Sequence, residues 1–399
     1  MTDTFLVLGG GRWQLRIIEA ARALGARTVV ADISGEAPGR AIADEFVQID
    51  TNDKAGLLEI ARRVNAKLVL AEQTDRLVPV AGYINEALGL TGISSAVAER
   101  FTNKLVMRRA LEGAGVPMPR YRPVSSADEA RAVARELGLP VIVKPLQAQS
   151  SMGVTLVDRL EDVGAAFDGA RATGSNEQVL VEEFIDGTEV TVEGVSLDGT
   201  CTILAMSEKA HYAHRPCVAR LLAYPPRFPA QTLRLMRETA KRVVETLGLD
   251  TGLSHAEYRM RDGVPHLVEV AARGGGNGIA SIIVPHISGL DTYDLVIRRL
   301  RGERVALPPV QSRAAILEFF TFEPGVVAAV EGVDACLAEG LGHRIEVPYR
   351  PGDVIRAATD DRNRPGFFIA LGADRDDVDR QAAAIKERVR VRYAAATQT

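Results

Sequence analysis

Cysteine is scarce in this chain: three among 399 residues, at positions 201, 217 and 336, with no CxxC pair. Such spacing argues against a disulfide framework or a thiolate zinc site and fits a reducing compartment, so a cytoplasmic location is expected. An excess of one charge is also lacking. The formal net charge is −4, with both signs mixed along the chain. That gives no electrostatic argument for nucleic acid or an anionic membrane. No apolar run approaches the length needed to span a bilayer. The start, MTDTFLVLGGGR, has no basic segment and its short apolar run is cut by glycines. It reads as a first strand rather than a signal peptide. The P-loop pattern, HExxH and GxSxG are all absent, as are internal repeats and low-complexity segments.

What is present is alternation of strand and helix. The length favours two or three domains. Residues 5–8 read as a buried strand, Gly9-Gly10-Gly11 as a tight turn, 15–24 as a helix and 28–31 as the next strand. Further strands are expected at 45–49 and 67–70, giving a parallel sheet with helices on both faces. Thr102-Asn103-Lys104 opens a helix that ends near Gly113, and Gly115-Val116-Pro117-Met118-Pro119 reads as a linker. After it, strands and helices alternate again to about residue 191. A helix is expected at 233–247, and strands at 255–260 and 266–270 joined by Arg261-Asp262-Gly263, a hairpin signal. A strand at 314–319, the segment 366–372 and a helix at 375–389 follow, and residues 394–399 are expected to fray.

The N-terminal glycines invite a dinucleotide reading, with Asp32 at the end of the second strand. However, Gln14 stands where the third glycine of GxGxxG belongs. The other reading is a turn whose backbone N–H groups face a substrate pocket.

A stronger pattern runs through the middle of the chain. Val141-Ile142-Val143-Lys144-Pro145 is a buried strand carrying a lysine at its end, beside the small polar loop Gln149-Ser150-Ser151-Met152-Gly153-Val154. A fixed ammonium with backbone N–H groups and hydroxyls suits a polyphosphate; the plainer reading is a solvated lysine and an ordinary turn. Val181-Glu182-Glu183-Phe184-Ile185 reads as a strand edge whose backbone and carboxylates suit adenine, with Glu189 placed for ribose hydroxyls. Alone, it is an ordinary edge strand.

Glu257 and Glu269 lie on the two arms of the hairpin. With one bulge residue they stand opposite each other on one face, where an intervening cation is expected, and Mg2+ suits few carboxylates plus phosphate oxygens. Arg273, four residues on, is placed to stabilise charge at a reacting phosphoryl or acyl centre. His255 shares the face of Glu257, either as a contact to a substrate carboxylate or as a structural histidine. Glu72, Thr74 and Asp75 follow a parallel strand's carboxyl end, where they either meet a substrate amine or cap a helix. His211-Tyr212-Ala213-His214-Arg215, with Cys217 nearby, fits no zinc spacing and reads as a mobile substrate-side loop.

Taken in order, these pieces resemble the ATP-grasp superfamily, in particular its carboxylate–amine ligase branch that includes L-amino acid ligases. The resemblance covers nearly the whole chain: FLVLGGGRWQ, Asn103-Lys104, GVPMPRY, VIVKP, SSMGV, VEEFIDGTEVTVEG, GLSHAEYRM, LVEVAARGGG and GFFIALG. It implies an α/β ATP-grasp fold with a Rossmann-like N-terminal domain (1–115), a mobile central lid (116–190), an ATP-grasp catalytic domain (191–311) and a small appended subdomain (312–399). It further implies that Lys104 and Lys144 contact ATP phosphates and that Glu182, Glu183 and Ile185 hold adenine, with Glu189 on the ribose. Glu257 and Glu269 would bind Mg2+ or Mn2+, and Arg273 with the backbone of Gly274, Gly275 and Gly276 would face an acyl phosphate. Where many members have asparagine two residues after the second metal glutamate, this chain has Ala271, so one or two ions both stay open.

The implied activity joins a small carboxylate to an amine, with amino acids the expected substrates, in a homodimer that engages neither nucleic acid nor membrane. Two alternatives stand beside it. One is carboxylation or formyl transfer of the purine-biosynthetic kind, for which Arg215, Arg220 and Arg227 would supply a phosphoribosyl pocket. The other is non-catalytic binding of ATP or NAD.

Overall fold

Short runs of β-branched and aliphatic residues between helical segments set the framework, because buried parallel strands need apolar side chains on both faces. The computed structural model describes residues 2–174 and 177–394; the expected fraying beyond residue 394 falls outside them. The chain folds into two compact units, each assembled from separated segments: Met1–Met118, Thr191–Ala205 and Pro229–Gln311 form one, and Pro119–Val190, Met206–Phe228 and Ser312–Thr399 the other.

In the first unit a four-stranded sheet has the order Glu45–Gln48, Arg27–Asp32, Thr4–Leu8, Ala66–Ala71, parallel throughout. Leu6, Leu8, Val29 and Ala31 pack with Leu57, Ala61 and Ile84 of the flanking helices. The expected strands and the helix Leu15–Ala23 are present within a residue or so at each end. Gly10 closes the first turn by donating its N–H to Asp32 (2.7 Å), and the Gln14 amide donates to the Glu72 carbonyl (2.8 Å). The same unit holds the order Val264–Ala271, Gly252–Arg261, the 191–197 part of Thr188–Leu197 and the 200–205 part of Thr200–Tyr212. Asp262 and Gly263 both have positive φ (53° and 76°), as a two-residue hairpin turn requires. The helix Ala230–Leu247 begins one turn before its expected start, directly after Pro229, which has no N–H to satisfy.

In the second unit, the antiparallel sheet Tyr121–Val124, Val179–Glu183, Val141–Pro145, Thr155–Val157 sorts its side chains by alternation. Val141, Val143, Val179 and Val181 bury against the helices Ala127–Leu137 and Val163–Thr173. Ile142, Lys144, Leu180 and Glu182 take the other face. The strand expected to be an edge is therefore an interior one, paired on both sides. Its run of consecutive apolar residues at 179–181 is what a doubly covered strand needs.

The rest of that unit follows the order Arg215–Tyr224, Ala314–Phe319, Phe367–Gly372, Arg344–Glu346, covered by the helix Arg375–Arg388 through Val378, Ala382 and Ile385. The expected loop at 211–215 is instead the tip of a long hairpin, Thr200–Tyr212 with Arg215–Tyr224. Its side chains are held: the Tyr212 hydroxyl donates to the Phe320 carbonyl, and Arg215 donates to the Thr359 carbonyl.

Candidate functional site

In the first unit the hairpin sets the site. Glu257 and Glu269 are direct cross-strand partners, and the register slips just beyond them, so that Tyr258 faces Leu267 and Val268 is the extra residue. That bulge brings the two carboxylates onto one face. It also leaves carbonyls outside the ladder, and buried Arg108 serves them, donating to Leu267 (3.2 Å) and Val268 (3.4 Å). Lys104 starts the helix Lys104–Ala110, which Asn103 caps through its side chain. Its buried ammonium meets Glu269 Oε1 at 2.7 Å. His255, opposite Ala271 in the register, stands between two acids: Nδ1 donates to Glu193 Oε1 at 2.7 Å, and Nε2 lies 3.4 Å from Glu257 Oε1. Burial works against the imidazolium, but the Glu193 carboxylate, and then Glu257, outweigh it and raise the His255 pKa to about 9.

Past the second strand, Arg273 makes a two-point pair with Asp75, Nε to Oδ1 and Nη2 to Oδ2, both 2.9 Å. Burial disfavours the guanidinium charge, yet Asp75, with Glu269 and Glu193 beyond it, keeps the pKa above its ordinary value. Glu72 accepts from the Gly274 N–H at 2.9 Å. It is buried, and that burial pushes its pKa up to about 7 against the pull of Gly274 and Arg273. The glycines are set by space. A Cβ on Gly274 would stand 2.3 Å from that of Ala280, and one on Gly275 would stand 2.9 Å from that of Ile279, whereas Gly276 has open space. The unit thus brings together Glu72, Asp75, Lys104, His255, Glu257, Glu269, Arg273 and the glycine loop, as an acidic cluster interleaved with three cations.

For a divalent cation the oxygen donors fit. Two opposed carboxylates, each already turned to a positive neighbour, are the few acidic ligands Mg2+ takes when phosphate oxygens supply the remainder. Among the described residues no cluster of three or more His, Cys, Asp or Glu side chains would form an all-protein cage.

In the second unit Lys144 and Glu182 form a buried ion pair, Nζ to Oε1 2.5 Å. Lys144 faces Leu180 and Glu182 faces Ile142 across the ladder, so the pair is diagonal on one face. Burying both charges is costly unless the partners stay matched, so each fixes the other. Glu183 accepts from Arg120 (3.0 Å), the Phe184 N–H donates to the Pro140 carbonyl (3.3 Å), and Ile185 is buried. Glu189 holds Lys209 at 2.7 Å and His211 at 3.1 Å. The loop after the lysine strand has Ser150 and Ser151 both at φ 59°, and Gly153 at φ 69° with Thr173 so near that a Cβ would meet it at 2.9 Å. Successive left-handed residues with side chains cost about 1–2 kcal/mol each, and the loop closes on itself as the Met152 and Val154 N–H groups donate to the Gln149 and Ser151 carbonyls, both at 3.3 Å.

Sequence reasoning missed Glu193, Arg108 and Lys209. Arg108 had a signal, standing one helical turn after Lys104 among apolar residues. Glu193 lies in an alternating strand that looks like a solvated face, and Lys209 in the polar run Ser207-Glu208-Lys209.

Comparisons with known proteins bear on the domains and the fold. A family model described as ATP-grasp domain matches residues 137–281, and one described as L-amino acid ligase C-terminal domain 2 matches residues 318–394. The formate-dependent phosphoribosylglycinamide formyltransferase of a Synechococcus species is 27% identical over 396 residues, covering 96% of each chain. The crystal structure of an L-amino acid ligase from Bacillus licheniformis aligns with a TM-score of 0.85 at 21% identity, covering 98% of this chain and 99% of that one. That of an N5-carboxyaminoimidazole synthetase from Staphylococcus aureus complexed with ADP gives 0.75 at 16%, covering 97% and 98%. The last two establish a shared fold. The chain carries an ATP-grasp domain followed by an L-amino acid ligase C-terminal domain, and its fold is that of ATP-dependent, C–N bond-forming ligases.

Proposed function

We propose that this ligase uses Mg-ATP to activate the carboxylate of an amino acid and joins it to an amine, often that of a second amino acid. The observation that carries the reading is the direct opposition of Glu257 and Glu269, with Lys104, His255 and Arg273 gathered on the same cluster.

In this reading a substrate carboxylate oxygen attacks the γ-phosphorus and the bond to the β-phosphate bridge breaks, giving an acyl phosphate and ADP. An amine then attacks the acyl carbon, and the amide, phosphate and a proton leave. Phosphoryl transfer asks the protein mainly for position and charge neutralisation. Glu257 and Glu269 would hold Mg2+, which supplies charge neutralisation between the phosphates when bound. Lys104 and Lys144 contribute fixed ammonium groups to the polyphosphate. Ser150, Ser151 and Gly153 offer backbone N–H groups from the strained loop, within a lid of residues 116–190 that keeps water from the acyl phosphate. Glu182, Glu183, Phe184 and Ile185 hold adenine, and Glu189 the ribose, once Lys209 and His211 yield part of its carboxylate. Arg273, Gly275 and Gly276 face the transferring group. Glu72, whose carboxyl is easily ionised near neutral pH, receives the substrate ammonium.

Formyl transfer to a phosphoribosyl amine is the second reading, favoured by the names of full-length relatives such as the Synechococcus protein. The arginines proposed for such a pocket weigh against it. Arg220 is tied to buried Glu318, Arg227 to Asp376 and Asp379, and Arg215 to the Thr359 carbonyl.

A phosphate-release screen with Mg-ATP, pairing amino acids, formate and phosphoribosylglycinamide with one another and reading product masses, separates the two. Condensation products of amino acids are expected. A formylated product would replace this reading with the second, and ADP formation with no carboxylate at all would overturn both.

A further inference from the structure

We infer that Glu193 is a positioning residue for the proposed ligation, acting through His255. The inference rests on the reading of Glu257 and Glu269 as the metal-binding carboxylates. Glu193 belongs to the strand Thr188–Leu197, which lies beside Gly252–Arg261 in the sheet. Its side chain is almost fully buried, at 3% exposure, and its carboxylate takes the Nδ1–H of His255 at 2.7 Å. A carboxylate so placed is costly to desolvate unless its partner is fixed, so the bond constrains both side chains.

The consequence falls on the far nitrogen. An imidazole can flip by half a turn about its χ2 axis and exchange its edges. Glu193 holds the Nδ1 edge, and the backbone of the glycine loop closes on the same edge, since a Cβ on Gly275 would stand 3.1 Å from Nδ1. Nε2 is thereby turned toward Glu257, 3.4 Å from Oε1, on the face where Glu257 and Glu269 oppose each other. Ala271, directly across from His255, brings only a methyl group to that position. The arrangement is that of a histidine whose outer nitrogen is oriented by the hydrogen bond its inner one makes. A carboxylate serving only to steady the sheet would have no reason to select one edge of a ring beside the reacting groups.

Four proteins test it: Glu193→Gln, Glu193→Ala, His255→Ala and the double Glu193→Ala/His255→Ala. Glutamine keeps an oxygen that accepts from Nδ1–H, so that variant should retain most of the wild-type kcat. Glu193→Ala should lower kcat by roughly 10–100-fold, the size usual for a group that orients a site residue from behind, with little change in the KM for ATP. Because Glu193 acts through His255, the double variant should be no slower than His255→Ala alone. Losses that multiply in the double variant, or a Glu193→Ala enzyme with wild-type kcat, would overturn the inference.

Nitrogen-15 NMR of the histidine side chains gives a readout independent of turnover, with the His255 signals assigned by their loss in His255→Ala. The wild type should show a protected proton on Nδ1 of His255. Glu193→Gln should keep that protection, and Glu193→Ala should lose it. If that proton is absent from the wild type, or survives in Glu193→Ala, the positioning role is contradicted whether or not the ligation reading holds. If the proton behaves as expected while no carboxylate yields ADP, the fault lies with the ligation reading.

Discussion

Glu72 sits where burial and hydrogen bonding pull in opposite directions, and burial wins: its pKa rises from 4.5 to about 7. A carboxyl whose folded pKa lies above its unfolded one favours the protonated folded state. Its contribution is fully present below about pH 4.5, falls as the pH rises, and is gone above about pH 7, a total of ~3 kcal/mol. Glu72→Gln removes that dependence. Denaturant titrations at pH 5 and pH 8 should therefore show the variant gaining on the wild type as the pH rises; equal differences at both values would show that Glu72 is not buried as an acid. Other residues divide by how visible their surroundings are. Glu257 and Glu269 were legible because alternation and a hairpin turn fix which side chains share a face, with one bulge completing the register. Glu193 was not, because Glu189-Val190-Thr191-Val192-Glu193 has the period of a solvated strand, and only a neighbouring strand from 60 residues onward makes that polar face an interior one. The Lys104–Glu269 and Lys144–Glu182 pairs were hidden similarly: the sequence shows two lysines suited to phosphate, but not the carboxylates that hold them.

Among the elements, the glycine loop after the second site strand makes the sharpest demand on sequence. It runs from Arg273 to Gly278, which caps the wide helical turn Ile279–Ile283. Gly274→Ala would push a methyl group into Ala280 and toward Glu72, an overpacking that should cost about 1–3 kcal/mol. Gly276→Ala meets nothing within 4 Å and should change stability by less than about 0.5 kcal/mol. Thermal melts of the two variants check the contrast, and equal losses would contradict the packing described for the loop. Elements with an amphipathic or β-branched pattern were readable, as with the strand Ala314–Phe319 and the helix Arg375–Arg388. The strand Val179–Glu183 was placed at an edge because its two acidic residues suggest an open side. Tyr121–Val124 and Val141–Pro145 pair with it on both sides instead, and the two acids, on opposite faces, are held by Lys144 and Arg120. The hairpin tip at 211–215 looked like a loop because histidine and arginine carry no strand signal, and what holds it there is distant backbone, at Ala358 and Thr359.

At the scale of the whole molecule, the order of short motifs identified the superfamily better than any one of them did. Each motif places a few groups, and their succession places them on successive elements of one fold. The order of strands within the sheets was another matter. Each compact unit uses three separated segments, and Thr191–Ala205 lies with Gly252–Arg261 rather than with the segment before it. No local periodicity announces such a return, because pairing between distant strands is set by the packing of the whole. The central claim is that the Glu257–Glu269 pair binds the metal that the phosphoryl step requires. Glu269→Gln keeps the volume and an oxygen for Lys104 while removing the charge. ADP formation by this variant, measured with Mg-ATP and the carboxylate identified in the screen, should fall by roughly a hundredfold or more while its melting temperature stays near that of the wild type. A folded Glu269→Gln enzyme forming ADP at the wild-type rate would contradict the account.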